Sequence, residues 1–469
     1  MGDTRLSPAR RAADRARLAD EVVDVLVVGG GLSGAWVALD AAVRGLAVGL
    51  LEAHDWAAGS SGRPAVLLSR AGTPVRTALR ERSRLLRTAA PHLVRPVPLV
   101  CPRPTPALSD VLARGLPPPR PLSRRAALAA VPALRPGLAA GALRRWDAQV
   151  DGARLTLAVV RTAAGYGARV LTRARVTGLL RAGDAVIGAQ VADRTDGSAL
   201  PVRARSVVLA IGADGGGLSG AVPAHPVVQV VLPRSAVDGR DDGLVLPVAG
   251  GALTVVPAGE RWVVSHPGPD LPALLGALER ALVRPVPASA VVAARVDRLP
   301  RGDGVSTRAP GLVVLAGGPA TARGRAADAV DAATANLPGV PPSRTAHLPL
   351  VGAHRWADVR DRAPQLAADA ELPLAAVGRL LQRHGDRVAD VLDLVRADPR
   401  LGRPLSGAPG WLAAEVVHAV TAEGALSLDD VLARRTPLSG ADPAEVAALV
   451  AGPLGWDAAR AAREVASAG

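Results

Sequence analysis

The spacing of apolar and polar positions changes character several times along the chain. From Glu21 to Val28 the residues are β-branched and nearly all apolar, which predicts a strand buried on both faces of a parallel sheet. Glycines follow at once, and Ser33 to Arg44 then places Trp36, Leu39, Ala42 and Val43 at helical spacing before Leu46 to Leu51 resumes a strand that ends on Glu52. The pattern predicts a βαβ unit. Proline becomes dense between Pro91 and Pro136, so a loop-rich excursion with short helices is expected there.

Strand signals return near Ala168 and run through Val176, Val186 to Val191 and Ser206 to Ile211, the last again entering glycines. Between Val227 and Arg298, short apolar runs (Val227–Leu232, Leu244–Val248, Leu253–Val256, Trp262–Ser265) alternate with turn residues at hairpin spacing, predicting an antiparallel sheet. Gly311 to Leu315, Ala316-Gly317-Gly318 and a helical stretch from Arg323 to Leu337 bring back the first theme, so the first domain is discontinuous. After Pro349 amphipathic helices dominate: Leu374–His384, Val388–Ala397, Leu412–Ala422 and Asp442–Leu449. The expected division is an Arg-rich leader over 1–20, an α/β region over 21–349 and an all-helical domain over 350–469. Within the α/β region the cofactor part is expected at about 21–105, 150–220 and 305–345, and the substrate sheet at about 221–304.

Composition narrows the classes of function. At 469 residues the chain has room for at least two cores. No apolar run approaches the roughly 18 residues of a membrane span, and the Arg-rich start lacks a signal peptide's apolar centre, so a cytoplasmic protein is expected. One cysteine, Cys101, excludes an internal disulfide and is read as a small buried hydrophobe. The net charge of +14 prompts a search for nucleic-acid contacts, but the arginines are dispersed and one Tyr with no Phe offers no stacking platform. No nucleic-acid partner is expected. Lys is absent and Ile and Asn are rare, the composition a GC-rich coding sequence produces.

The sharpest chemical signal is Gly29-Gly30-Gly31-Leu32-Ser33-Gly34, which satisfies Gly-x-Gly-x-x-Gly between a strand and a helix. In such a turn Gly29 allows the tight bend, Gly31 lets a pyrophosphate approach the backbone, and Gly34 permits close helix–strand packing. Glu52, at the end of the second strand, is placed to accept hydrogen bonds from ribose hydroxyls, favouring an unphosphorylated adenosine as in FAD or NAD.

The segments Asp24 to Ala35, Ala38 to Val48 and Leu51-Glu52 resemble the opening of FAD-dependent glycerol-3-phosphate dehydrogenases. Trp146-Asp147-Ala148-Gln149-Val150-Asp151-Gly152-Ala153-Arg154-Leu155, the turn Ala316-Gly317-Gly318, and the C-terminal runs Ala414–Val420, Glu423-Gly424-Ala425 and Asp429–Thr436 are similar to further segments of that family. The resemblance implies a Rossmann-like FAD-binding domain of the glutathione-reductase or D-amino-acid-oxidase type, an antiparallel-sheet substrate domain and an all-α C-terminal domain. It implies FAD contacts at Gly29, Gly31, Ser33, Gly34, Glu52, Ser60, Ser61, Val176, Gly212, Gly317 and Gly318. It also implies hydride transfer from glycerol 3-phosphate, a small phosphorylated polyol, to FAD and on to a membrane quinone. Peripheral contact with the inner face of the cell membrane, where a basic surface meets anionic lipid, is left open, as is a homodimer.

The chain departs from the family's pattern around the substrate. After Ser61-Gly62-Arg63 a family Lys is replaced by Val66, and a His-Gly-Gly-Leu-Arg-Tyr run by Ser69-Arg70-Ala71-Gly72-Thr73-Pro74. A family Lys falls on Pro319, a His on Gln229, and a Thr-rich turn on Ser265-His266-Pro267-Gly268. Arg298 aligns with a substrate arginine and is the expected catalytic-site cation, with Arg70, Arg323 and Arg325 as compensating charges and His225 and His266 as candidate bases. The alternative is an eroded paralogue that keeps the fold as a binding or regulatory protein.

Overall fold

A computed structural model of the chain describes residues 2–66, 75–102, 116–213, 217–218, 223–301, 304–436 and 440–468. The chain opens with a helix, α1 (Pro8–Asp20), whose N-cap Ser7 accepts from the Arg10 N–H and whose Pro8 occupies the first turn. α1 is docked on the sheet: Asp14 accepts from the Val170 N–H at 3.0 Å, and Arg11 and Arg15 pair with buried Asp193.

The cofactor sheet follows from the βαβ unit. β1 (Val22–Val28) leads through the glycine turn into α2 (Leu32–Val43) and back to β2 (Val48–Leu51). Further parallel strands come from far along the sequence: β3 (Arg169–Leu171), β4 (Ala199–Leu209) and β5 (Leu312–Ala316). Their order is β5-β4-β1-β2-β3, with Gly304–Ala309 antiparallel at the β5 edge. One face packs Val25, Val27 and Leu50 against α2, α3 (Gly152–Gly165) and α5 (Ala322–Ala333), through Trp36, Leu39, Val159 and Val330. The other packs Leu26, Val28, Leu51 and Leu209 against an antiparallel hairpin, Ala174–Ala182 and Ala185–Asp193. Burial on both faces explains why β1 and β2 carry almost no alternation, whereas β4 alternates until its last four residues.

The second sheet has nine strands, ordered Ala293–Pro300, Ala224–Pro233, Arg261–Pro267, Gly251–Ala258, Gly243–Val248, Val94–Cys101, Leu143–Asp151 and Pro64–Val66, with Arg120–Pro121 on the side of Leu143–Asp151. One face buries Val228, Val230, Trp262 and Val264 under α4 (Leu271–Ala281). This sheet is wider than the expected 221–304, because four of its strands lie before residue 152, inside or beyond the span 21–105 assigned to the cofactor part. Prolines 96 and 98 concealed the strand Val94–Cys101. Its register with Gly243–Val248 begins at Leu99, so both prolines lie where one edge is open among the described residues and a missing N–H costs no ladder bond. Cys101 is buried in this sheet.

Beyond Leu350 come α6 (Leu374–His384), α7 (Val388–Ala397), α8 (Ala413–Thr421), α9 (Pro443–Leu454) and α10 (Ala458–Ala468), with shorter helices and a two-stranded ribbon, Pro404–Leu405 with Ala408–Leu412. The ribbon is the one addition to the helical expectation among the described residues. A buried ionic seam joins this domain to α3, where Arg154 donates to Glu423 at 2.6 Å beside His384 and His418. Among the described residues no helix is long and apolar enough to cross a membrane.

Candidate active site

β1, β2, β4 and β5 all end at the same edge of the sheet, where the chain order reverses direction across β1, the place at which open α/β sheets bind ligands. The four ends carry Gly29, Glu52, Gly212 and Gly317-Gly318. Gly29 has a φ of +113°, and a Cβ there would lie 2.5 Å from the Ala210 carbonyl oxygen at the end of β4. A Cβ on Gly34 would collide with the Gly29 carbonyl oxygen, so glycine is what lets α2 start against the turn.

Gly31 is the N-cap of α2 and makes no side-chain cap hydrogen bond. The Leu32 N–H instead donates to Ser61 Oγ at 2.9 Å. Thus Ser61, in the short turn Ser60–Gly62, sits directly over the positive end of α2, and Ser33 lies in its first turn. First-turn N–H groups lack intrahelical acceptors and favour an anion, so this surface fits a pyrophosphate.

Glu52 accepts from the Gly30 N–H at 2.6 Å and from the His54 N–H at 2.8 Å. Burial raises its pKa, the two backbone hydrogen bonds oppose the rise, and the nearby Asp55 carboxylate adds to it. Val176 lies two residues beyond Ala174, whose N–H donates to the Glu52 carbonyl, and so flanks the same end of the crevice. The residues fit FAD: Glu52 would hold the adenosine ribose, and the first turn of α2 with Ser61 would hold the pyrophosphate.

The substrate sheet meets this crevice at the Ser60 turn. On the face opposite α4, Gln229 donates to Ser265 Oγ at 2.8 Å and pairs in register with Arg295. Arg295 donates to the Gly59 carbonyl at 3.3 Å and to Asp297 at 2.7 Å, and Arg63 lies 3.4 Å from Asp297. Arg298 is not brought to this cluster. Strand alternation turns it to the α4 side, where it is exposed. His266 also lies on the α4 side, buried with its pKa lowered by burial, whereas His225 shares the Gln229 face.

The other compensating cations are committed elsewhere: Arg323 forks onto Glu81 at 2.6 and 2.8 Å, and Arg325 pairs with Asp328 at 3.1 Å. Arg70 lies outside the described residues, as does the run Ser69–Pro74. Arg295, Asp297 and Arg63 were missed in the sequence because their grouping depends on the cross-strand register of Gln229, which no local pattern reports.

Comparison with known proteins accords with this geometry. Residues 24–264 match the model for the FAD dependent oxidoreductase family, and residues 343–461 match the C-terminal domain of alpha-glycerophosphate oxidase. The chain is an FAD-dependent oxidoreductase. Glycerol-3-phosphate dehydrogenase 2 of Mycobacterium tuberculosis is 37% identical, the alignment covering 98% of this chain and 90% of the relative. Glycerol-3-phosphate dehydrogenase of Mycobacterium leprae is 36% identical over the same shares. The chain therefore belongs to the glycerol-3-phosphate dehydrogenase family. Its fold matches that of glycerol-3-phosphate dehydrogenase from Bacillus halodurans, solved with FAD, at a TM-score of 0.82, covering 99% of this chain and 97% of that one, with 22% identity.

Proposed function

We propose that the enzyme oxidises glycerol 3-phosphate or a closely related small hydroxy compound and passes the electrons from FAD to a quinone at the inner face of the cell membrane. The observation that carries this reading is the polar cluster on the substrate sheet where it meets the cofactor crevice. There Arg295 and Arg63 flank the Asp297 carboxylate beside Gln229 and Ser265. An anionic polyol is held by such a set, its phosphate on the guanidiniums and its hydroxyls on the amide and hydroxyl groups.

FAD, when bound, takes the hydride from the substrate carbon. The protein holds that carbon in place. Anaerobic mixing with glycerol 3-phosphate, glycerol and other small polyols tests the reading. Bleaching of the flavin by the phosphorylated substrate supports it, whereas bleaching by the unphosphorylated compounds alone would remove the phosphate from the proposal.

A second reading rests on the neutral residues Pro319 and Gln229 and on the commitment of Arg323 to Glu81: a flavin-holding binding or regulatory protein. It requires a yellow protein that no polyol in the panel reduces.

A further inference from the structure

Asp55 is fully buried three residues after Glu52, and both of its oxygens are taken by the C-terminal domain. Arg435 forks onto it with Nη1 to Oδ2 and Nη2 to Oδ1, each at 2.7 Å, and Arg434 Nε donates to Oδ2 at 2.6 Å. Two consecutive arginines reach one carboxylate because the segment Asp430–Arg435 is wound as a π-helical turn. The turn is itself fixed. Asp430 receives Arg173 at 2.7 Å, Arg434 at 2.6 Å and the Leu426 N–H at 3.0 Å, while Arg435 Nε donates to the Glu423 carbonyl at 3.0 Å.

The other side of Asp55 leads straight into the cofactor turn. Trp56, also buried, lies against Gly30: a Cβ on Gly30 would stand 2.6 Å from the indole Cε3 and 2.7 Å from the Glu52 Cβ. The Ala57 N–H donates to the Gly30 carbonyl at 3.1 Å, and Glu52 accepts the Gly30 N–H. Ala57 holds a φ of +60°, a conformation alanine seldom adopts unless its neighbours impose it. Gly30 thus has both backbone groups and one face of its Cα bound by the loop 52–57, and that loop is anchored from a domain nearly 380 residues away in sequence.

We propose that the C-terminal domain sets the adenosine and pyrophosphate end of the FAD site, with Arg434 and Arg435 as positioning residues acting through Asp55, Trp56 and Gly30. The fork fixes the height of Trp56 and so the position of the Gly30 peptide between Glu52 and the N-terminus of α2. The inference rests on the assignment of FAD to this crevice, and the control separates the two: apoprotein of the unaltered chain must bind FAD and ADP, or the assignment itself fails.

The test is the affinity of apoprotein for FAD and for ADP, by titration calorimetry, in Arg435→Gln, Asp55→Asn and the milder Arg434→Gln, with thermal melting of each apoprotein. The expected result is weaker binding of both ligands by on the order of 10-fold or more, with the double variant Asp55→Asn/Arg435→Gln losing less than the sum of the two single changes. If Arg435→Gln or Asp55→Asn does not fold, Arg434→Gln is read in its place, with the same direction expected. Unchanged FAD and ADP affinity in folded variants with lowered melting temperature would overturn the proposal and leave the fork as domain cement.

Discussion

At the scale of single residues, each glycine of the turn has its own steric reason, and the reasons separate on mutation. A bulky residue at Gly31 is pushed toward Ser61 Oγ, where a Cβ already stands at 3.0 Å, and projects over the start of α2. Gly31→Leu is expected to fold and to lose bound flavin, measured as the visible-to-protein absorbance ratio of the purified protein; full occupancy in a folded variant contradicts the placement of the pyrophosphate. On the substrate side Arg295 and Arg298 are three residues apart but on opposite faces of one strand. Arg295→Ala should lower kcat/KM for the phosphorylated substrate by about 10- to 100-fold, the worth of one charge-assisted contact of roughly 1.5–3 kcal/mol, and Arg298→Ala should leave it nearly unchanged. Steady-state kinetics with an artificial acceptor decides between them. If Arg295 and Arg63 did not compensate the two lost family cations, turnover would be slowed by on the order of 10²–10⁴-fold.

At the scale of elements, the sequence was legible where local rules and tertiary demands agree. β1 and α2 could be read because a nearly all apolar, Val-rich run, a glycine turn and helical spacing follow one another within thirty residues. The strand Val94–Cys101 could not, since its prolines argue against a strand until the open edge is known. The helix α1 carried a readable cap in Ser7-Pro8, and the buried carboxylates Asp14 and Asp193 explain why it docks.

The seam between α3 and the C-terminal helices gives a pH prediction. Burial pushes His92 and His418 from 6.5 down to about 3, and holds His384 well below its usual value. Below about pH 6.5 the unfolded chain therefore binds protons that the folded chain refuses. Stability then falls as pH drops toward 3, by up to about 1.4 kcal/mol per pH unit for each histidine. Chemical denaturation at about pH 7.5 and about pH 5.5 should show the lower midpoint in acid. Equal midpoints would mean that these imidazoles are charged or exposed in the folded protein.

For the whole molecule, the two sheets meet along the Ser60 turn and the C-terminal domain closes over α1 and the 52–57 loop. Its separate character was legible from the change to amphipathic helices after Pro349. Its grip on the cofactor loop was not, because an Asp-Trp pair and an Arg-Arg pair look like ordinary surface residues until the fold buries them together. A chain ending near Pro349 should leave Arg154, Arg161 and Asp55 without their C-terminal partners, self-associate on size exclusion and retain little flavin. A monodisperse fragment with full flavin content would contradict the docking.

On the function proposed above, this member of the glycerol-3-phosphate dehydrogenase family is an FAD enzyme whose altered substrate site is directed to a phosphate. Anaerobic titration of the purified protein with glycerol 3-phosphate, followed by its visible spectrum, tests it most directly. The expected result is a flavin spectrum that bleaches slowly, and more slowly still in Arg295→Ala than in the unaltered chain. A flavin that glycerol 3-phosphate and every related polyol leave oxidised, or a protein that holds no flavin, would contradict it.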